Sequence, residues 1–127
     1  MEAESQKAFE ELKKRMFEAT SKLRQTQAQI TVANRSIKKA VLTGQELQQV
    51  PENTRTYHSL GKMFVLEPRN NLLIEQAGMV REVEQDLEKL KKAQEYHEKE
   101  LKEVESAFKE LLSSSPALAR EILAAQG

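Results

Sequence analysis

Apolar side chains recur along two long stretches of this chain at alternating intervals of three and four residues. The first set is Phe9, Leu12, Met16, Ala19, Leu23, Thr26, Ile30, Ala33, Ile37 and Ala40. The second set is Leu73, Gln76, Val80, Val83, Leu87, Leu90, Gln94, His97, Leu101, Val104, Phe108 and Leu111. A mean spacing of about 3.5 residues places one narrow stripe against a partner helix instead of building a globular core. We therefore expect a mainly α-helical fold, a long antiparallel coiled coil of two helices.

The composition suits one elongated helical domain spanning residues 1–127. The 127 residues include 20 basic and 20 acidic side chains, so the formal net charge is zero. This balance argues against a general nucleic-acid surface and against a polybasic membrane surface. Hydrophobic residues make up 39% of the chain and aromatic residues 5%, which is low for a globule but ordinary for a coiled coil.

The absence of cysteine and of recognisable targeting signals narrows the possible chemistry and location of the protein. The chain has no cysteine, which excludes disulfides and thiolate metal sites. No apolar run approaches the roughly 20 residues of a membrane-spanning helix. The first residues, Met1 to Glu4, are acidic and polar, unlike a secretory signal or a transit peptide. We expect a soluble cytoplasmic protein.

Gly and Pro positions predict where the first helix ends. Residues 5–41 contain neither residue type, which predicts one helix. Thr43 and Glu46 have the spacing of a capping box, which predicts a separate short helix over 43–50 that Pro51 ends.

The second long helix is predicted over residues 69–112, because Pro68 suits a first helical turn. Gly78 within it indicates a bend or a close neighbour. After Ser113 to Pro116 the tail, residues 113–127, has apolar residues at helical spacing and suggests a short amphipathic helix. This tail either extends a binding surface or is disordered.

Between the long helices, residues 54–66 have the composition of a β-hairpin. Asn53 to Tyr57 and Lys62 to Leu66 are rich in β-branched and aromatic residues, and His58 to Gly61 has the length of a turn. An isolated hairpin is marginally stable in water. The rest of the sequence offers no further strands, so we expect this hairpin to pair with strands of other chains.

Folding the two helices back on each other places Ala40 near Leu73 and Phe9 near Val104, with the register defined only to within a heptad. Basic residues then flank the stripe of the first helix where acidic residues flank that of the second, which favours antiparallel pairing. These charges are Lys13, Arg15 and Lys22, and Glu98, Glu100 and Glu105.

The end that carries both chain termini is rich in apolar side chains. Phe17, Tyr96 and Leu112 lie near it but outside the stripe. Two interpretations stand side by side. Either the apolar side chains form an exposed binding surface, or the end closes on itself by burying Phe9 against Phe108.

No residue pattern indicates catalysis. The two histidines, His58 and His97, lie on different elements, and neither has a second ligand at helical spacing. The sequence contains no phosphate-binding glycine motif. We expect a protein that is not an enzyme and that uses no cofactor or metal.

The middle of the chain carries the most specific motifs. Leu42-Thr43-Gly44-Gln45-Glu46-Leu47, Thr54-Arg55-Thr56-Tyr57 and Leu60-Gly61-Lys62-Met63-Phe64 resemble the hairpin region of β-type prefoldin subunits. The flanking heptads, over about residues 5 to 112, agree with this resemblance but are less specific.

The resemblance implies a subunit of an ATP-independent holdase chaperone, a heterohexamer of two α-type and four β-type subunits. Hairpins would build an intermolecular β-barrel platform, to which Tyr57, Met63, Phe64, Val65 and Leu66 would belong. Coiled-coil tips would hold non-native chains such as actin and tubulin and pass them to the cytosolic group II chaperonin. The client-binding residues would be Phe9, Leu12, Met16, Phe17, Phe108, Leu111 and Leu112. A nuclear location in addition to the cytoplasm stays open.

Two other classes remain as alternatives. A structural or tethering coiled-coil adaptor would use the same heptads to assemble, but would have no use for paired strands between residues 54 and 66. A nucleic-acid-binding protein would use the basic cluster of Arg35, Lys38 and Lys39, although stacking aromatics are sparse there.

Overall fold

The computed structural model describes residues 2–126 and contains three helices and two strands. In chain order they are α1 (Glu2–Gln49), β1 (Tyr57–Leu60), β2 (Met63–Leu66), α2 (Arg69–Ser114) and α3 (Pro116–Gln126). The mainly α fold, with two long helices joined by a β-hairpin, is therefore confirmed. None of the helices within residues 2–126 has the length and apolar character needed to cross a bilayer.

The chain divides into two compact units. The terminal unit comprises residues 2–27 and 92–126 of the described chain, and the hairpin unit comprises residues 28–91. Both long helices contribute to both units, because each continues across the boundary.

The predicted stripe is the side of α1 and α2 that is removed from solvent. Every member of both sets is buried or partly buried. Small residues are among the most buried, with Ala19, Ala33 and Ala40 nearly inaccessible, and Val104 is fully buried. Thr26 is the polar member of the first set, and its buried hydroxyl donates to the carbonyl of Lys22 at 2.8 Å. The stripe can therefore accept this threonine without an unsatisfied polar group.

The first helix is longer than predicted, because α1 continues through Thr43 and Gly44 to Gln49. The prediction of a separate short helix over residues 43–50 was therefore wrong. Thr43 does not cap a new helix, since its hydroxyl donates to the carbonyl of Lys39, four residues back, at 2.8 Å. A single glycine costs a helix only about 1 kcal/mol, so it does not by itself interrupt one.

The second helix begins at Arg69 as predicted and ends at Ser114, two residues later than predicted. Gly78 lies inside it on an exposed face, and a Cβ atom placed there would meet no atom of residues 2–126 within 4 Å beyond its own helical turn. The prediction of a close neighbour at Gly78 was therefore wrong for contacts within this chain.

The β-hairpin is present but shifted from its predicted position. Strands β1 and β2 pair antiparallel, with Tyr57 opposite Leu66 and Leu60 opposite Met63. The prediction that His58 to Gly61 form the turn was wrong, because His58 to Leu60 belong to β1. Gly61 and Lys62 make a two-residue turn in which Gly61 has a φ of 63°. A glycine with positive φ at this first position matches the twist that tight hairpins need.

Within the terminal unit, α1 and α2 run antiparallel. The rings of Phe9 and Phe108 meet edge to face with centroids 5.6 Å apart, and Arg15 pairs with Glu100 at 3.4 Å. Phe9 was expected near Val104, so the observed pairing differs by about one helical turn, inside the stated heptad. Among the predicted charges, Arg15 and Glu100 form an ion pair that stays partly exposed and contributes roughly 0.2–1 kcal/mol.

Residues 116–126 of the tail form the helix α3, as the helical spacing of its apolar residues suggested. Ser115 separates it from α2, and its carbonyl accepts the first helical hydrogen bond from Ala119 at 3.2 Å. Serine before proline is a favourable helix start, because proline lacks the N–H that would be unpaired in the first turn. The same proline cannot continue α2, which accounts for the break.

We predict opposite stability effects of alanine at three glycines. Gly44→Ala and Gly78→Ala should each stabilise the protein by about 0.5–1 kcal/mol, because both sites are helical and have open space for a Cβ atom. Gly61→Ala should destabilise it by about 1–2 kcal/mol, since its φ is positive. Thermal unfolding followed by circular dichroism measures all three. A destabilising Gly44→Ala would show that this helical position is strained.

Candidate interaction surfaces

The hairpin exposes an unusual amount of apolar surface. We define the hairpin surface as six exposed residues, Tyr57, Leu60, Met63, Phe64, Val65 and Leu66. The strand register places Tyr57, Phe64 and Leu66 on one face of the hairpin and the other three on the opposite face. All six side chains remain exposed among the described residues, and Phe64 is 73% exposed. This arrangement is typical of a surface that binds another protein.

The five predicted assembly residues all lie on this surface, and Leu60 was missed. Leu60 had been assigned to the turn, so its place in a strand was not considered. Residues 57–60 read apolar, polar, polar and apolar, so no alternation was present that could have placed Leu60 in a strand. Its exposed fraction of 55% is like that of its neighbours.

The backbone of the hairpin offers a second kind of contact. Among the described residues, β1 and β2 form a sheet of two strands, so the outer edge of each strand is free of strand partners. Free edges carry N–H and C=O groups that can pair with a strand of another molecule. At the base of the hairpin, Glu67 donates its N–H to the Thr56 carbonyl at 2.9 Å, and the Thr56 hydroxyl donates to the Glu67 carbonyl.

A side-chain contact connects the hairpin to α2. Nε2 of His58 lies 2.9 Å from Oε1 of Glu75. His58 is partly buried, and it lies on the face that also carries Leu60, Met63 and Val65. This contact ties β1 to α2 and thereby limits the orientations that the hairpin can take.

Arg69, the first residue of α2, binds the C-terminal end of α1. Its Nη1 donates to the carbonyls of Leu47, Gln48 and Val50 at 3.3, 3.3 and 2.8 Å. Its Nη2 also lies 3.8 Å from a carboxylate oxygen of Glu52, and the side chain is 14% exposed. The last carbonyls of a helix lack partners within the helix and carry partial negative charge, which a guanidinium satisfies.

Sequence reasoning missed Arg69, because its spacing from residues 47–50 carries no local signal. It also missed apolar residues on the outer faces of the helices in the hairpin unit. Those residues are exposed although they lie outside the stripe. They are Val32, Val41, Leu42, Ile74 and Met79.

The predicted client-binding residues lie together in the terminal unit, but most are covered. Phe17 is 76% exposed, whereas the other six are partly buried. The contact between Phe9 and Phe108 is the closed arrangement that stood as one of the two interpretations. Beside Phe17, a shallow hollow of about 470 Å³ is lined by Lys13, Met16, Thr20, Ser21 and Arg24.

Neither histidine is placed for metal binding. Within residues 2–126, no three His, Asp or Glu side chains are grouped so that they could hold a metal ion. His58 contacts Glu75, and His97 packs its ring edge to face against Tyr96 with centroids 5.5 Å apart. Both histidines therefore make side-chain contacts of kinds that are common in protein structures.

Comparison with known proteins gives one consistent family. The family model described as "Prefoldin subunit" matches residues 6–115. Prefoldin subunit 1 of Arabidopsis thaliana is 40% identical over 116 residues, which cover 91% of each chain. Prefoldin subunit 1 of Mus musculus is 31% identical over 120 residues, which cover 92% of this chain and 96% of the relative. The crystal structure of the prefoldin beta subunit from Thermococcus strain KS-1 has a similar fold, with a TM-score of 0.71 at 16% identity over 87% of this chain and 91% of that one.

We predict that Arg69→Ala lowers the free energy of unfolding by about 1.5–3 kcal/mol, because the carbonyls at the end of α1 lose a charged donor. Arg69→Lys should recover only part of this loss, since one ammonium group cannot reproduce the planar guanidinium contacts. Chemical denaturation followed by circular dichroism provides the measurement.

Arg81→Ala is the matched control for this experiment. Arg81 lies on an exposed face of α2 in the same unit, so its replacement should change stability by less than about 0.5 kcal/mol. Equal effects of Arg69→Ala and Arg81→Ala would contradict the role given to Arg69.

Proposed function

Because this chain belongs to the prefoldin family, a family of non-enzymatic chaperones that assemble from several subunits, we propose that it acts as one subunit of an ATP-independent holdase. In this proposal it occupies one of four β-type positions in a heterohexamer that also has two α-type subunits. The complex binds non-native polypeptides such as actin and tubulin chains and passes them to the cytosolic group II chaperonin. We propose that this activity takes place in the cytoplasm; whether part of the protein is also nuclear is left open.

The exposed hairpin surface is the observation that carries the proposal. Six apolar side chains on two faces of a two-stranded sheet would be costly to leave in water, at roughly 25 cal/mol for each Å² of apolar surface. The sheet is also too small to be stable by itself. Strands from neighbouring subunits would supply both a cover for the side chains and partners for the strand edges.

Client binding is proposed for the terminal unit, where Phe17 is the most accessible of the predicted residues. Its ring stands beside a hollow that is lined by Met16 and by the side chains of Lys13 and Arg24, among others. A single ring gives weak binding, but several such sites on one complex raise the overall affinity through multivalency. Weak contacts at several sites suit clients that share only exposed apolar segments.

The proposed transfer to a chaperonin needs no nucleotide on this subunit. A client held by several weak contacts can leave one contact at a time, and a downstream chaperonin that binds the freed segments would draw it away. The proposal therefore places release in competition between partners and not in a chemical step.

Two phenylalanines with nearly equal exposure allow assembly and client binding to be separated. Phe64→Asp should abolish incorporation into the complex, because a carboxylate would be buried between subunits, while helix content stays nearly unchanged. Phe17→Asp should leave assembly intact and weaken capture of chemically denatured actin by about tenfold, since one apolar contact is lost. Native mass spectrometry of co-expressed subunits and an aggregation-suppression assay measure the two effects.

Each variant serves as the control for the other, because their exposed fractions are 73% and 76%. Normal incorporation of Phe64→Asp would rule out the hairpin surface as the assembly site. Unchanged actin capture by an assembled Phe17→Asp complex would remove Phe17 from the client-binding site. A stable homodimer that does not bind the co-expressed subunits would favour the tethering alternative.

A further inference from the structure

The helix α3 is folded back across the start of α1. Along α2, later residues meet earlier residues of α1, as the contacts of Glu100 with Arg15 and of Phe108 with Phe9 demonstrate. The next contact continues this order, because the hydroxyl of Ser115 donates to that of Ser5 at 3.4 Å.

After Ser115 the order reverses. Nε2 of Gln6 donates to Oε2 of Glu121 at 3.1 Å, although a straight extension of α2 would have carried Glu121 away from Gln6. Pro116 supplies the break that permits this change of direction. The chain thus returns toward residues it has already passed.

The face of α3 that is turned inward is apolar. Leu118 is 5% exposed and Ile122 is partly buried, and both lie on the helical face that also holds Ser115. Their spacing continues the stripe of α2, because Phe108, Leu111, Ser115, Leu118 and Ile122 follow one another at intervals of three or four. α3 therefore packs against the rest of the terminal unit through apolar residues that have the same spacing as the stripe.

We propose that α3 is an intramolecular lid, which an apolar segment of a non-native polypeptide displaces when it binds the terminal unit. This inference rests on the client-binding role proposed above. The incoming segment takes the place of Leu118 and Ile122, so the preferred segment is one that presents leucine-like side chains at helical spacing. Opening of the lid exposes the inward face of α3 and the part of the terminal unit against which Leu118 is buried.

The lid is held weakly enough to open. α3 has 11 residues, and an isolated helix shorter than about 12 to 15 residues is marginal in water. Its helical form therefore depends on its contacts with the rest of the terminal unit. Those contacts include the buried Leu118 and the exposed hydrogen bond from Gln6 to Glu121, and the partly buried bond of Ser115 to Ser5 lies just before the helix.

The test compares two aspartate variants of α3 in the assembled complex that carries the full chain. Leu118→Asp removes the buried contact, whereas Leu123→Asp adds the same charge at a position that is 70% exposed. Burial of one leucine biases an equilibrium by roughly ten- to a hundredfold, so Leu118→Asp should favour the open state. The apparent affinity for fluorophore-labelled, denatured actin should rise by about tenfold, because a larger fraction of the complex is competent to bind. Leu123→Asp should leave it unchanged.

A locked lid tests the opposite direction. The chain has no cysteine, so Gln6→Cys with Glu121→Cys gives one pair that a short bis-maleimide can cross-link. The cross-linked complex should bind denatured actin at least about fivefold more weakly than the same protein before cross-linking. Equal binding before and after cross-linking would overturn the lid, as would weaker binding by Leu118→Asp.

Two readouts that need no client separate the lid from the proposed function. Amide hydrogen exchange in residues 116–126 and the fluorescence of an apolar dye should both rise in Leu118→Asp and not in Leu123→Asp. If both rise while no form of the complex binds actin, α3 opens as described, but the client-binding role fails and with it the displacement of α3 by a client. If neither rises, the lid fails regardless of how well the complex binds actin.

Discussion

The stripe of side chains between α1 and α2 is narrow, and the exposure of the candidate interaction surfaces follows from this. Its most buried members include Ala19, Ala33, Ala40 and Val104, which are small and fill little volume. A stripe of this kind stabilises the pairing of two helices but leaves no interior that could take up other apolar groups. Large side chains outside the stripe must therefore remain at the surface or find a cover elsewhere. The hairpin surface and Phe17 are in the first situation, and Leu118 is in the second.

The exposed hairpin would be a poor binding site if its orientation were free. Ordering a flexible element on association opposes binding, so contacts that fix the hairpin beforehand favour assembly. Two such contacts exist in the hairpin unit. His58 ties β1 to Glu75 on α2, and Arg69 joins the first turn of α2 to carbonyls at and just beyond the end of α1. The polar contacts around the hairpin thus complement the apolar surface, because they limit the orientations in which its side chains can meet a partner.

Much of this fold follows from local patterns, and the differences arise where several weak preferences compete. The stripe predicted both long helices and the side that each buries, because its period extends over many turns. The hairpin was predicted from composition, but β1 was displaced because Gly61 favours a two-residue turn over a longer one. The predicted end of the first helix at residue 41 was wrong. A capping sequence that follows a long helical pattern can continue the helix, as Thr43 does here. Arg69 and the packing of α3 depend on contacts between residues far apart in sequence, which periodicity does not encode.

The two surfaces of this subunit face different physical requirements. A strand edge with alternating side chains accepts only a partner with matching strand geometry, which gives a defined assembly. In the proposed function a client has no defined geometry, so its site would have to recognise apolar character alone, and such a site would also attract other apolar surfaces. A weakly held cover reduces this cost, because any binding partner must first exceed the free energy of closing. α3 offers a cover of the right strength, since Leu118 gives it one strong contact while its short length keeps it marginal. In the lid proposal, this short helix would thus set how strongly an apolar segment must bind before it displaces α3.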